Sequence, residues 1–271
     1  MGAFERLRED VWIAREYVCA RDAAALVREL APRDATFSLS DDGDEEAGAR
    51  ANGDEDDAAL PSARWSAADE NAISGRGIRY VHLRGRRCVA FGGAVHERGT
   101  FAVDDFPTCT RRVMDAVSKS VSALLEATFI ANHALVNAYE EDEGIMPHED
   151  GPLYRDVVAI LSLGASRCLR FSPKRDDDVD GTSPTTTRET TFEIFLPHRS
   201  LIVFTSVAYT KYLHAIESGT RVDVKSHRTL NPSHFPIGTD VAERRGCRLS
   251  MTFRQVLNVR RAPAFLTKPR V

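Results

Sequence analysis

The sequence predicts an α+β fold that is mainly β, with helices packed outside a double-stranded β-helix (jelly-roll) core. The chain has 271 residues, 42% of them hydrophobic, which is enough for one large domain with a buried core. From residue 133 onward the apolar residues form short β-rich runs that are separated by loops, with no helical pattern between them. Many short strands joined by long connections are typical of an antiparallel sandwich or a jelly-roll barrel.

The first part of the chain contains two helical patterns. Residues 11–31 contain a short strand (VWIAREYV) and then a helix (ARDAAALVREL) whose apolar face includes Leu26 and Leu30. A second helix is predicted over 108–126, where four apolar residues recur at spacings of 4, 4 and 3. These four residues are Val113, Val117, Val121 and Leu124. Each helix has one apolar stripe, so each is expected to pack on the core by one face.

Seven runs in the second half of the chain are predicted to be the strands of the core. They cover residues 133–139, 156–164, 168–172, 190–196, 200–206, 212–216 and 247–256. Two long polar connections, 174–190 and 217–246, interrupt these runs and have no apolar periodicity. Both connections are therefore expected to be surface loops.

The net charge of −4 is unevenly distributed along the chain. The stretch Asp41–Asp57 contains nine acidic residues and one arginine, a local balance of −8, so the rest of the chain carries +4. The segment 41–60 has almost no large side chains, and it cannot bury enough apolar surface to offset its ordering entropy. We therefore expect this segment to be a disordered insertion.

The cysteines and the lack of long apolar runs indicate the class of protein. The five cysteines are scattered and form no CxxC pair, which favours reduced thiols over a disulfide framework or a zinc site. No run approaches the roughly 20 apolar residues that cross a bilayer, and the first residues lack the features of a signal peptide. We expect a soluble protein of the cytoplasm and nucleus that has no membrane partner. Nothing in the sequence indicates an obligate oligomer, so a monomer is expected.

A basic stretch lies between the acidic segment and the second helix. Residues Arg76–Arg87 include five arginines, one histidine and Tyr80, with no acidic residue among them. A solvated hairpin is one interpretation of this pattern. The other is a flexible basic hairpin that clamps a polyanion such as a nucleic acid.

The segment GIMPHEDGPLY contains the first candidate ligands for a metal. In an extended chain His148 and Asp150 point to the same side and Glu149 points away, and Pro147 disfavours a helix here. A His-x-Asp pair supplies two ligands of the 2-His-1-carboxylate triad, which suits non-haem Fe(II). The third ligand must be a distant histidine, and His214 is the best candidate because it lies in its own short strand. A structural zinc site is the alternative, although such sites favour cysteine-rich, four-ligand closure.

The segment RLSMTFR near the C-terminus alternates between two kinds of side chain. Arg248 and Arg254 lie on one face together with Ser250 and Thr252, and the other face is apolar. A buried arginine needs a counter-anion, and its planar fork suits a carboxylate. A dicarboxylate co-substrate would meet both the iron and these arginines. The alternative is an edge strand with solvated arginines.

Three segments taken together resemble the AlkB family of Fe(II)/2-oxoglutarate dioxygenases. They are NHALVNAYEEDEGIMPHEDGPLY, SLIVFTSVAYTKYLHAI and RLSMTFR, and they span roughly residues 128–256. Within the family, GIMPHEDGPLY is closer to the sixth AlkB homologue of eukaryotes than to the bacterial repair enzyme.

The resemblance implies a role for each matching residue. His148, Asp150 and His214 would be the catalytic residues that hold Fe(II). Asn137 and Tyr139 would contact 2-oxoglutarate. The distal carboxylate of the co-substrate would pair with Arg248, and Arg254 would lie closer to the metal.

Two positions depart from the family pattern. Ser250 occupies a position where the bacterial enzyme has asparagine, so its contact with 2-oxoglutarate does not follow from the motif. Repair-type relatives have an acidic residue two positions after the metal-binding aspartate, where this chain has Pro152. Recognition of the base in the manner of the repair enzymes is therefore not implied.

Composition and the resemblance together predict an organisation of the chain and an activity. A strand and helix (1–40) would pack on the core, followed by the acidic insertion (41–60) and a basic lid-like hairpin with its supporting helix (61–126). The dioxygenase core would cover 127–260, and a basic tail would cover 261–271. The expected activity is oxidative demethylation of alkylated RNA or DNA, with 2-oxoglutarate and O₂ as co-substrates. The alternatives are the same chemistry on a protein side chain, or a nucleic-acid-binding module with an idle site.

Overall fold

Two antiparallel β-sheets pack face to face around the centre of the domain. The computed structural model describes residues 3–32, 35, 78, 80–93, 95–96, 99–102, 106–174, 190–219, 221–223, 228–235, 241–243 and 246–261. The larger sheet has eight strands in the order β1 (Glu5–Arg8), β2 (Val11–Ala14), β12 (Leu201–Thr205), β9 (Tyr154–Gly164), β16 (Arg248–Val256), β7 (His133–Tyr139), β4 (Arg86–Phe91) and β3 (Val81–Leu83). The smaller sheet has the order β11 (Phe192–Leu196), β10 (Arg167–Pro173), β13 (Tyr212–Ile216) and β8 (Ile145–His148).

Shorter elements complete the described part of the chain. The helices are α1 (Ala20–Leu30), α2 (Thr108–Leu125), the short α3 (Ser206–Thr210) and a 3₁₀ turn (Pro232–His234). Two small sheets are formed by β14 (Arg221–Asp223) with β15 (Val241–Glu243), and by β5 (Val95–His96), β6 (Gly99–Ala102) and β17 (Val259–Arg261). Among the described residues, no helix is both long enough and apolar enough to cross a membrane.

The outer face of the larger sheet is covered by the two long helices. Leu249, Met251 and Phe253 of β16 pack in one apolar cluster with the buried stripes of α1 and α2, which include Leu26 and Val117. Every second side chain along a strand points to the same face, so the apolar side chains of β16 all face the helices. The predicted packing of the helices on the core is confirmed.

The inner face of the larger sheet packs on the smaller sheet. Ile202 and Phe204 of β12 contact a cluster that includes Phe171 of β10 and Phe192 of β11. The rings of Phe171 and Phe192 stack at 4.7 Å, and Phe204 meets Phe171 edge-on at 5.2 Å. This aromatic packing fills part of the space between the sheets and borders His214, whose ring centre lies 5.3 Å from that of Phe204.

The predicted fold class is confirmed, and the main strands begin and end within two residues of their predicted limits, except for the first. The first strand of the chain, β2, ends at Ala14 instead of 18, because Glu16 has φ of +48° and interrupts the extended backbone. The preceding strand β1, which forms a hairpin with β2, was not predicted. The prediction that no helix follows residue 133 is also wrong, since α3 and the 3₁₀ turn lie between the strands. Elements this short show no helical periodicity in a sequence. Similarly, the polar connection 217–246 contains β14 and β15 and is not loop throughout.

Four other expectations concern residues that are wholly or partly outside the described ranges. The acidic segment 41–60 lies outside them, as do residues 175–189 of the first polar connection, Arg76 and Arg79 of the basic stretch, and residues 262–271 of the tail. Residues 81–87 of the basic stretch lie in the predicted hairpin, in which β3 and β4 are joined by a turn at Arg84 and Gly85.

Candidate active site

The structure brings His148, Asp150 and His214 together at one end of the space between the sheets. His148 on β8 lies directly opposite His214 on β13, and their ring centres are 4.2 Å apart. One potential ligand atom from each of the three residues lies within 4.8 Å of the others. Among the described residues this is the one group of histidine, cysteine and acidic side chains that is arranged to hold a metal ion.

Local sequence explains why the histidine and the aspartate point the same way. β8 is an edge strand of the smaller sheet, where Pro147 is tolerated because one side of the strand needs no N–H donor. Gly151 has φ of +83°, a left-handed conformation that turns the chain directly after the aspartate. The side chain of Asp150 is 2% exposed, whereas that of Glu149 is 54% exposed and pairs with Lys174. The predicted alternation of this segment is confirmed.

Both histidines of the cluster are in the form that can bind a metal. Burial is the main cause that lowers the pKa of His214 to about 3, and it also lowers the pKa of His148. Both imidazoles are therefore neutral at pH 7 and have a lone pair to offer. Nδ1 of His148 lies 2.8 Å from the carbonyl oxygen of Met146, which can only accept, so Nδ1 bears the proton and Nε2 is the ligand atom.

The carboxylate of Asp150 fits the role of the anionic ligand. Oδ1 accepts an ion-pair contact from Nη2 of Arg254, while Oδ2 lies 3.8 Å from Nε2 of His214. Oδ2 is buried and has no hydrogen-bond partner among the described residues. A buried carboxylate oxygen left in this state is costly unless a cation completes its environment. Two neutral imidazoles and one carboxylate, with no cysteine, form the donor set that suits non-haem Fe(II).

Arg254 connects the metal cluster to the larger sheet. Its guanidinium carbon lies 4.8 Å from the ring centre of Tyr154, and it pairs across the strands with the buried His133. Burial lowers the pKa of His133 to about 4, so this imidazole is neutral beside the cationic arginine. No sequence pattern pointed to His133, because the residue meets Arg254 only through the register of β7 against β16.

The polar face of β16 forms a second buried group. Arg248 pairs with Tyr139, with its guanidinium carbon 5.4 Å from the ring centre, and donates a 2.9 Å hydrogen bond to the hydroxyl of Ser162. Ser250 pairs with Asn137 on β7. Burial raises the pKa of Tyr139, so its hydroxyl stays protonated and can donate. All four predicted co-substrate residues thus line the inner face of the larger sheet, and β16 is an interior strand instead of the solvated edge considered as the alternative.

One hydrogen bond to the metal-binding loop was not predictable from the sequence. The hydroxyl of Tyr209 on α3 donates a 2.7 Å hydrogen bond to the carbonyl oxygen of Gly151, the residue after Asp150. The helix itself is held by Asp10, whose Oδ2 accepts from the backbone N–H of Ala208 at 2.5 Å. The turn between β1 and β2 therefore supports the loop that presents the metal-binding carboxylate.

Tyr209→Phe is expected to weaken Fe(II) binding by about tenfold, because removal of a group that orients a metal ligand typically costs 10- to 100-fold in affinity. Anaerobic calorimetric titration measures this effect. Tyr17→Phe is the matched control, since it removes the hydroxyl that donates to Ser120 at 2.9 Å on the helix-covered side of the larger sheet. Both variants should lose similar stability, and equal Fe(II) affinities would show that Tyr209 has no role at the site.

The β3–β4 hairpin lies beside the predicted co-substrate residues. Val81, Cys88, Asn137 and Ser250 form one cross-strand row, so the inner face of the hairpin continues the face that bears the co-substrate residues. Only part of the basic stretch is solvated. His82 and Arg84 are exposed, whereas Arg87 is buried and pairs with Glu140, and Arg86 contacts Asn137.

Comparisons with known proteins agree with this site. Residues 83–254 match the model of the 2OG-Fe(II) oxygenase superfamily. A zebrafish (Danio rerio) protein, "Probable RNA/DNA demethylase ALKBH6", is 33% identical over 70% of this chain and 79% of its own length. The mouse (Mus musculus) protein "tRNA (carboxymethyluridine(34)-5-O)-methyltransferase ALKBH8" is 26% identical over 73% of this chain, which corresponds to 28% of the mouse protein. A solved structure described as that of OsALKBH1 covers 93% of this chain and 100% of that chain, at 14% identity and a TM-score of 0.47.

The matched region includes β8, β13 and β16, which bear or adjoin the residues of the cluster. It covers more than half of the chain, and the predicted resemblance to AlkB-type oxygenases is confirmed. The chain therefore belongs to the 2OG-Fe(II) oxygenase superfamily, whose members are dioxygenases that use Fe(II), 2-oxoglutarate and O₂.

Proposed function

We propose that this dioxygenase oxidatively demethylates alkylated nucleic acid, RNA or DNA. The observation that supports a nucleic-acid substrate is the β3–β4 hairpin. Its turn closely approaches Gly144, just before the strand that bears His148, and it has both apolar and basic exposed side chains. The printed name of the zebrafish relative, a probable RNA/DNA demethylase, agrees with this proposal.

In this proposal His148, Asp150 and His214 hold Fe(II). Bound iron supplies the activation of O₂ that couples decarboxylation of 2-oxoglutarate, to succinate and CO₂, with hydroxylation of a substrate C–H bond. Arg254 neutralises and orients the Asp150 carboxylate through the ion pair between them. An N-methyl group hydroxylated in this way breaks down to formaldehyde and the free amine.

The buried polar face of β16 provides the site for the co-substrate. Arg248 is 2% exposed and offers a cationic fork suited to a carboxylate, and the ring of Tyr139 lies beside it. Asn137 adds a carboxamide in the neighbouring row. Because Arg248 is buried, little water screens its charge. Its attraction for the dianion 2-oxoglutarate is therefore strong.

The rim of the site suits a nucleotide. Val81, Leu83 and Met146 are exposed apolar side chains, and Met146, at 78% exposure, is two residues from His148. Apolar side chains at a pocket mouth can pack against the face of an extruded base. Arg84, which is exposed in the turn of the same hairpin, can contact phosphate groups.

Turnover assays with defined substrates test this function. Succinate should form from 2-oxoglutarate in the presence of Fe(II) and air, and formaldehyde should appear in equal amount only with N-methylated RNA or DNA oligonucleotides. Unmethylated oligonucleotides of the same sequence are the substrate control, and His148→Ala is the enzyme control. Formaldehyde released from methylated peptides and not from nucleic acid would refute the proposal in favour of a protein substrate. Nucleic-acid binding without succinate formation would identify an idle site.

We also propose that the protein acts in the cytoplasm and nucleus. Its five cysteines are free thiols, as is usual in reducing compartments. Fractionation of cells that express the full chain tests this location.

A further inference from the structure

The turn of the β3–β4 hairpin is fixed against the strands that bear the metal-binding histidines. Gly85 in this turn has φ of +82°, and a Cβ atom there would lie 2.8 Å from the carbonyl oxygen of Gly144. A Cβ atom at Gly144 would in turn clash with the carbonyl oxygen of Ile216 on β13. Three backbone segments thus approach one another with no side chain between them. The position of the hairpin relative to β8 and β13 is therefore closely defined.

Arg86 follows this turn and reaches the predicted co-substrate pocket. Its Nε–H donates a 3.0 Å hydrogen bond to Oδ1 of Asn137, a residue that is 4% exposed. A guanidinium group has donors only, so the atom that faces Arg86 must be the carboxamide oxygen. The amide nitrogen, which has two N–H donors, then faces away from Arg86. Asn137 lies between Cys88 on β4 and Ser250 on β16, so the side opposite the hairpin is the side of β16.

We propose that Arg86 is a positioning residue for 2-oxoglutarate, which acts by fixing the carboxamide of Asn137 with its N–H groups toward the anionic co-substrate. The inference rests on the proposed role of Asn137 in binding that co-substrate. Without the Arg86 contact, the amide can rotate and present its oxygen to a carboxylate, which is repulsive. A charge-assisted hydrogen bond of this kind corresponds to an affinity change of about tenfold.

Arg86→Met tests this role, because methionine keeps an unbranched side chain and removes both the charge and the donors. The measurement is anaerobic calorimetric titration of 2-oxoglutarate into the Fe(II)-loaded full chain. We expect the Kd for 2-oxoglutarate to rise about tenfold in a protein that remains folded, with Fe(II) affinity unchanged. Arg84→Met is the matched control, since Arg84 is exposed on the same turn and its loss should change the Kd by less than about twofold.

A double-mutant cycle with Asn137→Ala distinguishes positioning from direct contact. If Arg86 acts through Asn137, Arg86→Met should have almost no further effect on the Kd in the Asn137→Ala background. An undiminished tenfold effect in that background would show that Arg86 binds the co-substrate by itself, and would overturn the inference. Wild-type affinity in the Arg86→Met single variant would also overturn it. If the wild-type protein itself does not bind 2-oxoglutarate, the proposed function fails as well.

Discussion

Asp150→Asn is expected to weaken Fe(II) binding by more than about 100-fold and to stop succinate formation. Changes to groups that only support a metal ligand already cost about 10- to 100-fold, so loss of the anionic ligand itself should cost more. Asparagine has nearly the same shape, and its oxygen can still accept a hydrogen bond from Arg254. The metal-free variant should therefore remain folded, which circular dichroism can verify before the anaerobic metal titration.

Glu149→Gln is the matched control for this prediction. It removes the same charge from the neighbouring residue, whose side chain is exposed and paired with Lys174 at the surface. Such surface pairs contribute about 0–1 kcal/mol to the free energy of unfolding, so Fe(II) affinity and turnover should stay close to those of the wild type. Equal losses in both variants would mean that the charge of the loop matters in general and that Asp150 is not a specific ligand.

Arg248→Ala is expected to raise the Kd for 2-oxoglutarate by about 30-fold or more, with Fe(II) affinity unchanged. Loss of one partner of a buried charge pair typically costs about 2–5 kcal/mol, and each 1.4 kcal/mol is tenfold in affinity. Fe(II) affinity should not change, because the three proposed ligands lie on or beside β8 and β13 of the other sheet. Binding of 2-oxoglutarate to the Fe(II)-loaded protein without oxygen measures the effect independently of turnover.

Two further variants define the origin of that effect. Arg248→Lys keeps the charge but loses the planar fork, so its Kd should lie between those of the wild type and the alanine variant. Ser162→Ala removes the hydroxyl that accepts from Arg248 and leaves the guanidinium in place, so it should have a smaller effect than either. An unchanged Kd in Arg248→Ala would remove this residue from the co-substrate site.

Strong periodic patterns made the main fold predictable from the sequence. The alternation of 248–254 separates residues that pack on the helices from residues that line the pocket, and it fixes the orientation of β16. The stripe of α2 follows from spacings of three and four residues in the same way. The helix α3 was missed because its five residues are too few for any periodicity, and its position depends on a hydrogen bond to Asp10, nearly 200 residues away in sequence.

The candidate site was predictable where residues two apart in sequence point to the same side of an extended chain. His148 and Asp150 are such a pair, as are Asn137 and Tyr139. The supporting contacts were not predictable, because Tyr209 and Arg86 reach their partners across strands whose register the sequence does not reveal. The basic stretch shows the same limit, since the burial of Arg87 against Glu140 could not be inferred from a run of arginines.

The direct pairing of His148 with His214 makes the metal site sensitive to strand register. If β8 slipped by one residue along β13, alternation would turn the His148 side chain to the opposite face of the sheet and separate it from its partner. Iron would then bind the chain with the native register and would not bind the chain with the shifted register. At a free concentration 100 times its Kd, it would favour the correct alignment by about 2.7 kcal/mol. The metal that supports catalysis would thus also select the native pairing of an edge strand while the protein folds.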